Sequence, residues 1–412
     1  MVILQTLLTT TMYIGAAILC LMFMITVHEF GHYVVGKILG FKINEFAIGF
    51  GKPIYKRTSK KTGEVFSIRW LPIGGYCAFA GDDAAVGEGG ARAEAIEREK
   101  AGEPTPKGVE FNKAAPWKRI LVLFSGGFFN FLSAIVFALI LFMIVGYYQA
   151  VGVTSVTAKT AIGDDNPNYA IMQNIKAIHG VGTTEQNIKK ITLLKPFNSQ
   201  INSYNDEAVL IFHVEFKDGT KGYVHGITFN EFVSINTKTG EVIVDKATGE
   251  PLLYTGIGFS PKLVWQPLGF FEAVKYGTKF CFEIAWMILV FLGMLITGQM
   301  GFFGNVGGPT ATVSVMSEAL NMSILNVLIL VPLISVNLAL FNWLPIPALD
   351  GARMVFVGIE WVRGKPVNPD LENRINLYGL LFLLGLVIVA DIGFWLVQGG
   401  SRIFLLVCRF LL

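Results

Sequence analysis

Charge is scarce in this chain: 15% of its 412 residues are Asp, Glu, Lys or Arg, against 53% that are hydrophobic. An ordinary soluble domain carries about 25% charged residues, so that class is excluded at the outset. Cysteine is scarce too. Cys20, Cys77, Cys281 and Cys408 are scattered with no CxxC pair, which excludes a disulfide framework and a cysteine zinc site and leaves four buried apolar thiols. The net charge of +3 is too small to suggest a nucleic-acid partner. Internal repeats and low-complexity arrays are missing. The N-terminal apolar run has neither a basic leader nor a small-residue cleavage site, so it is expected to stay as a membrane helix.

What the chain does have is long stretches free of charge. Val2–Val27, Ile120–Val151, Ala319–Leu349 and Ile375–Ala390, the last continuing past Asp391 to Val397, meet or approach the roughly 20 residues that a membrane span needs. A fifth stretch, Phe280–Gly298, carries Glu283 and a Gly-rich continuation toward Ser317. Residues 37–119 hold fifteen Lys and Arg, among them Lys56, Arg57, Lys60 and Lys61. By the positive-inside rule this loop is cytoplasmic and the N-terminus lies outside.

The fold class is therefore a polytopic α-helical membrane protein of about four transmembrane helices, with a cytoplasmic membrane-associated β-hairpin region and one extracytoplasmic β-rich domain. The chain divides into a first transmembrane helix (1–40), a cytoplasmic loop (41–117), a second transmembrane helix (118–151), the extracytoplasmic domain (152–268), an amphipathic or re-entrant segment (269–318), a transmembrane helix ending in LDG (319–352), a cytoplasmic loop (353–373), a last transmembrane helix (374–398) and a tail (399–412). Within the first loop, residues 43–79 alternate β-branched or aromatic with polar residues, as hairpins lying against the membrane do. Residues 82–108 are charged and Gly/Ala-rich, and read as a mobile insertion. The stretch "AVLIFHVEFKDGTKGYVHGITF" alternates like strands.

The first apolar run ends in "HEFGH", residues 28–32. Four residues apart on a helix, His28 and His32 project from one face and can hold one metal ion, while Glu29 stands beside them to act on a water. With only five histidines in the chain the pattern is specific. A purely structural histidine pair is disfavoured, because a carboxylate next to two imidazoles in lipid is costly unless a cation offsets it. Catalytic zinc usually takes three protein ligands. His179, His213 and His225 lie in the extracytoplasmic domain, on the wrong side; Glu283, Asp350, Glu360 and Asp391 remain. Asp350 closes the 319–349 run just before basic residues, at the depth of HEFGH. Asp391 falls some 16 residues after the basic end of its helix, about 24 Å at ~1.5 Å per residue, near the opposite face. Asp350 is the expected third ligand, and Phe280–Gly298 is expected not to cross, since an odd number of spans must separate the two halves of the site. Two histidines and a carboxylate can also hold iron. The chemistry indicated is metal-assisted hydrolysis of a peptide bond inside the membrane, with Glu29 as base and the 43–79 strand edges holding an unwound substrate by β-addition.

On these residues the chain resembles the site-2 protease family of intramembrane zinc metalloproteases, and within it the bacterial regulator of sigma-E protease branch. The matching stretches are HEFGH, "AIGFGKP" at 47–53, "LPIGGY" at 71–76, Gly126 and Asn130 in "GGFFN", and "SVNLALFNWLPIPALDG" at 335–351. The resemblance implies one zinc ion on His28, His32 and Asp350, with Glu29 as catalytic base. It implies that Asn337 and Asn342 position substrate, and that the stretch around 62–79, with Gly74, Gly75 and Tyr76, is a re-entrant β element that binds it. Asn130 and Gly126 read equally as helix packing or as part of the site. The branch implies a divergent PDZ-like domain over 152–268, a bacterial plasma (inner) membrane location, and single-span membrane proteins such as anti-sigma factors or remnant signal peptides as substrates. A peptide-binding protein with a structural metal would not need the uncoordinated Glu29. A metal transporter would need a continuous polar path, and the spans offer only a few Asn and Ser.

Overall fold

The uncharged runs become long helices. The computed structural model describes residues 2–82, 96, 97, 100, 104–192, 195–234, 242–245, 248–300, 306–322 and 324–398. The expected insertion at 82–108 and the tail at 399–412 lie largely or wholly outside these. Two compact units form, one from Met1–Leu141 with Phe271–Leu405 and one from Phe142–Phe270.

The first unit opens with α1 (Val2–Ile38), followed by strands β1 (Ile43–Thr58) and β2 (Val65–Phe79) and helix α2 (Pro116–Ile144). Both strands bend, at Gly49, Gly51 and Gly74, which hold φ of 85°, 87° and 89°. Ile48 consequently has Gly75 as partner on one side and Ile68 on the other. The short sheet thus packs on α1 through Phe41, Ile43, Phe46, Cys77 and Phe79, which share a core with Val122 and Leu123 of α2. Gly31 lets α1 and α2 approach closely: a Cβ there would stand 2.5 Å from the Ser125 carbonyl.

After the second unit come α5 (Phe270–Ile296), α6 (Pro309–Met322), α7 (Ile324–Trp343), α8 (Asp350–Arg363) and α9 (Pro369–Gln398). Among the described residues, Thr11–Ile38, Pro116–Ile144, Phe270–Ile296 and Asp370–Phe394 are long and apolar enough to cross a membrane. The protein is a multi-pass membrane protein. Within the segment expected to be amphipathic or re-entrant, Phe270–Ile296 is one unbroken helix of 27 residues. The helix expected over 319–352 stops at Trp343, and Asp350 starts the next helix instead of ending this one. Pro345 and Pro347 explain the stop, since residues preceding proline are pushed out of the helical region. The expected loop at 353–373 is largely that next helix, α8.

Asp391 on α9 is explained by the fold as well. Its carboxylate accepts backbone N–H bonds from Gly308 (2.9 Å) and Ala311 (3.3 Å) through one oxygen and from Thr310 (3.3 Å) through the other. It caps the N-terminus of α6, where partial positive charge favours a carboxylate.

The second unit is built on an antiparallel sheet in the order β10 (Phe259–Gln266), β3 (Tyr147–Val156), β4 (Ile175–Gly182), β6 (Leu210–Phe216), β7 (Lys221–Ile227), with β5 (Lys189–Lys190) beside β4. Short helices α3 (Tyr169–Gln173) and α4 (Phe197–Ile201) and a hairpin of β8 (Asn230–Val233) and β9 (Leu253–Gly256) complete it. This strand and helix content fits a PDZ-like region. The alternation read in the sequence is real here: Leu210, Phe212 and Val214 are buried while Ile211, His213 and Glu215 are half-exposed. The second apolar run does not stay helical to Val151. Gly146, at φ 103°, ends α2, and Tyr147–Val151 enter β3.

Candidate metal centre

One helix turn brings His28 and His32 together. Their Nε2 atoms lie 3.1 Å apart, and Asp350 Oδ2 lies 3.0 Å from the first and 3.3 Å from the second. A tetrahedral ion with arms of ~2.0 Å separates its ligands by ~3.3 Å, so the three atoms have the spacing of one face of such a site. His32 Nδ1 donates to the Val122 carbonyl at 2.7 Å, and a carbonyl can only accept. That bond fixes the tautomer and leaves the Nε2 lone pair facing His28 and Asp350. Asp350 Oδ2 and His28 Nδ1 are buried without a hydrogen-bond partner among the described residues. Three acceptor atoms, two Nε2 and one Oδ2, gathered in a buried place fit a cation. These are the described residues whose ligand atoms converge within 4.8 Å; Glu29 is not one of them.

Each of these three side chains is positioned by neighbours with few alternatives. A Cβ on Gly126 would fall 2.5 Å from His32 Nε2 and 2.6 Å from His28 Cε1, so only glycine lets α2 pass the imidazoles. Asn130, one turn on, is fully buried with both amide atoms unpartnered among the described residues. Asp350 is presented by a turn in which Ala348 holds φ 75°, a left-handed conformation costing about 1 kcal/mol for a residue with a side chain. The Ala348 N–H donates to Asn376 Oδ1 (3.3 Å), and a Cβ on Gly351 would sit 2.0 Å from the Leu344 carbonyl. Trp343 fastens the end of α7 to α2: its indole N–H donates to the Phe124 carbonyl (3.1 Å), and its ring stacks on Phe124 at 4.7 Å.

The centre opens into a cavity of about 210 Å³ bordered by Glu29, Gly75, Tyr76 and Asn342. Glu29 is half-buried and accepts a hydrogen bond from the backbone of Cys77 on β2. A Cβ on Gly75 would lie 3.6 Å from Glu29 Cγ. The β2 segment Gly75–Phe79 has its register with β1 on one side, and its other side borders the cavity. Asn342 donates to the Leu338 carbonyl (2.9 Å), leaving Oδ1 without a partner among the described residues. Asn337 is exposed on α7 and, like Gly74, does not border the cavity.

Two contributors had no signature in the sequence. Arg353, one turn after Asp350, donates from Nη2 to both carboxylate oxygens of Asp82 (2.6 and 2.5 Å) and lies over the Phe111 ring at 5.4 Å. Arg119 of α2 pairs with Glu360 on the same helix, α8. Both contacts hold the helix that carries Asp350. The partners in these two pairs lie more than 200 residues apart in the chain.

The histidines of the second unit behave differently. His179 lies 3.5 Å from Glu215 and His225 3.0 Å from Glu185.

Comparison with known proteins agrees with this geometry. The peptidase family M50 model matches residues 16–386. The chain is 26% identical to the zinc metalloprotease RasP of Oceanobacillus iheyensis over 89% of this chain and 94% of that protein. It is 25% identical to RasP of Shouchella clausii over 89% and 94%. It is 24% identical to the regulator of sigma E protease of Haemophilus influenzae over 92% and 97%. The chain belongs to peptidase family M50, the site-2 protease family, and is a zinc metalloprotease.

Proposed function

We propose that the protein cleaves peptide bonds within or beside the transmembrane segment of single-span membrane proteins, using one zinc ion held by His28, His32 and Asp350. The observation that carries this reading is the triangle of Nε2, Nε2 and Oδ2 atoms 3.0–3.3 Å apart with Glu29 beside it. A zinc ion there supplies a water acidified toward neutrality and a polarised peptide carbonyl. Glu29 takes a proton from the attacking water and delivers it to the leaving amine. The Val122 carbonyl keeps His32 in the ligating tautomer. The edge of β2 at Gly75–Cys77 receives the substrate as an added strand, which an intact helix with its internal hydrogen bonds could not offer. Asn342 Oδ1 provides a further acceptor for its backbone.

The same triangle supports one topology. His28 near the end of α1 and Asp350 after α7 must lie at one membrane depth, so α1 and α7 run in the same direction. With α2 crossing between them, α5 and α6 together must return to the side where they began. The stripe Glu272, Lys275, Lys279 and Glu283 along the first half of α5 supports an interfacial lie for that half. The basic loop of residues 37–119 faces the cytoplasm, the N-terminus and the Phe142–Phe270 unit face outward, and the metal centre sits toward the cytoplasmic side of a bacterial plasma membrane. Anti-sigma factors and remnant signal peptides are the proposed substrates; the name of the regulator of sigma E protease relative supports a role beside a sigma factor.

The test is cleavage of a tagged single-span substrate by the purified protein, wild type against Glu29→Gln, with zinc measured in both. Zinc at one per chain in both and cleavage only in wild type is expected. Equal cleavage by the two would overturn the reading.

A further inference from the structure

A second cavity, about 900 Å³, is lined by α1, β1, the β1–β2 turn and the start of β2, and shares no lining residue with the cavity at the metal centre. One wall is aromatic. Phe30 stacks on Tyr33 (6.3 Å), Tyr33 meets Phe46 (5.4 Å), and Phe46 stacks on Phe66 (6.1 Å). The rim is cationic and comes from the end of α1 and the β1–β2 turn: Lys37, Arg57, Lys60 and Lys61. Its single carboxylate, Glu64, is already neutralised by Lys37 and bonded by the Tyr33 hydroxyl. Arg57, Lys60 and Lys61 are exposed and have no ion-pair partner among the described residues.

We propose that this cavity binds the headgroup of an anionic phospholipid, with the phosphate among Arg57, Lys60 and Lys61 and the start of an acyl chain along Phe30 and Phe66. Phe30 is 46% exposed on a helix apolar enough to cross a membrane, and Lys37 lies seven residues further along it. That separation is about 10 Å, the depth over which a bilayer passes from acyl chain to phosphate. The three uncompensated cations supply the charge complementarity. A site for free phosphate would gather donors in a small pocket; this one is large, carries four aromatic rings, and opens beside a lipid-facing helix. The turn it would hold belongs to the hairpin whose β2 forms the edge of the metal-centre cavity, so an occupied site braces the strand that receives substrate.

The inference rests on the membrane placement of α1 given above, and its test reads lipid retention without cleavage. The full chain is reconstituted in phosphatidylcholine discs with and without phosphatidylglycerol, extracted gently, and its retained lipids identified by native mass spectrometry. Wild type is expected to retain phosphatidylglycerol selectively, and R57Q/K60Q/K61Q to lose that preference by on the order of 100-fold. Selectivity in wild type is also expected to fall as salt rises, a check that needs no variant. Equal retention by the triple variant, or indifference to salt, would overturn the proposal. Displacement of the lipid by inorganic phosphate would reassign the cavity to a soluble anion. If the protease reading fails, selective retention survives; if this inference fails, cleavage in pure phosphatidylcholine survives.

Discussion

The two units use histidine in opposite ways. In the Phe142–Phe270 sheet, His179 and His225 each sit near a carboxylate as an ordinary pair, and the strands owe their stability to buried residues such as Phe212, Ile178 and Val214. At the centre in the other unit, two imidazoles and a carboxylate bring their ligand atoms together, beside a left-handed alanine and glycines where a methyl group would collide. A histidine paired with one carboxylate stabilises a fold, whereas three ligand atoms converging on one point are organised for a metal ion. The two units should therefore respond differently to the same kinds of perturbation.

The largest expected effect is on chemistry alone. Glu29→Gln should lower the cleavage rate by about 10²–10⁴-fold with the thermal transition and zinc content unchanged; a loss of zinc would make Glu29 a ligand. Next comes Gly126→Ala, which drives a methyl into both imidazoles. Zinc affinity measured by competition with a chelator should fall by about 10–100-fold, the size seen when ligand orientation is disturbed. Phe212→Ala should do the converse, costing about 3–5 kcal/mol in the unfolding of the sheet while leaving zinc affinity unchanged.

How much of this was legible in the sequence depends on whether a signal is local. HEFGH announced two imidazoles on one helix face because helical spacing is a local property, and Asp350, expected from membrane depth, lies beside both. The alternation around Leu210–Phe216 announced strands for the same reason. Hydropathy alone could not show that the run from Ile120 leaves its helix at Gly146, since the buried residues of β3 are as apolar as a span. The stop at Trp343 was written in Pro345 and Pro347 but masked by the continuous apolar run. The Val122 carbonyl that orients His32 has no side-chain signature at all. The Asp82–Arg353 pair joins residues 271 apart, which no local pattern reveals.

Two smaller effects sharpen the contrast. Arg353→Gln leaves the buried Asp82 carboxylate without its guanidinium partner. It should destabilise the helical unit by about 3 kcal/mol in denaturant titrations and weaken zinc binding through the Asp350 helix. In the sheet, burial first, and then His179, Lys221 and Lys190, hold the His213 pKa below the ordinary 6.5. The unfolded chain then binds the proton more readily, so stability is full above pH 6.5 and falls as pH drops through that value toward the lower folded pKa. His213→Gln should flatten that acid limb slightly; an unchanged limb would put the titration elsewhere.

The central claim is that His28, His32 and Asp350 hold the metal, and X-ray absorption at the zinc edge of the purified full chain tests it most directly. Expected are one zinc per chain with two imidazole nitrogens and oxygen donors among its ligands, and a changed spectrum or lost zinc in Asp350→Ala. A sulfur ligand, which would point to the neighbouring Cys77, or an unaltered spectrum in Asp350→Ala, would contradict it.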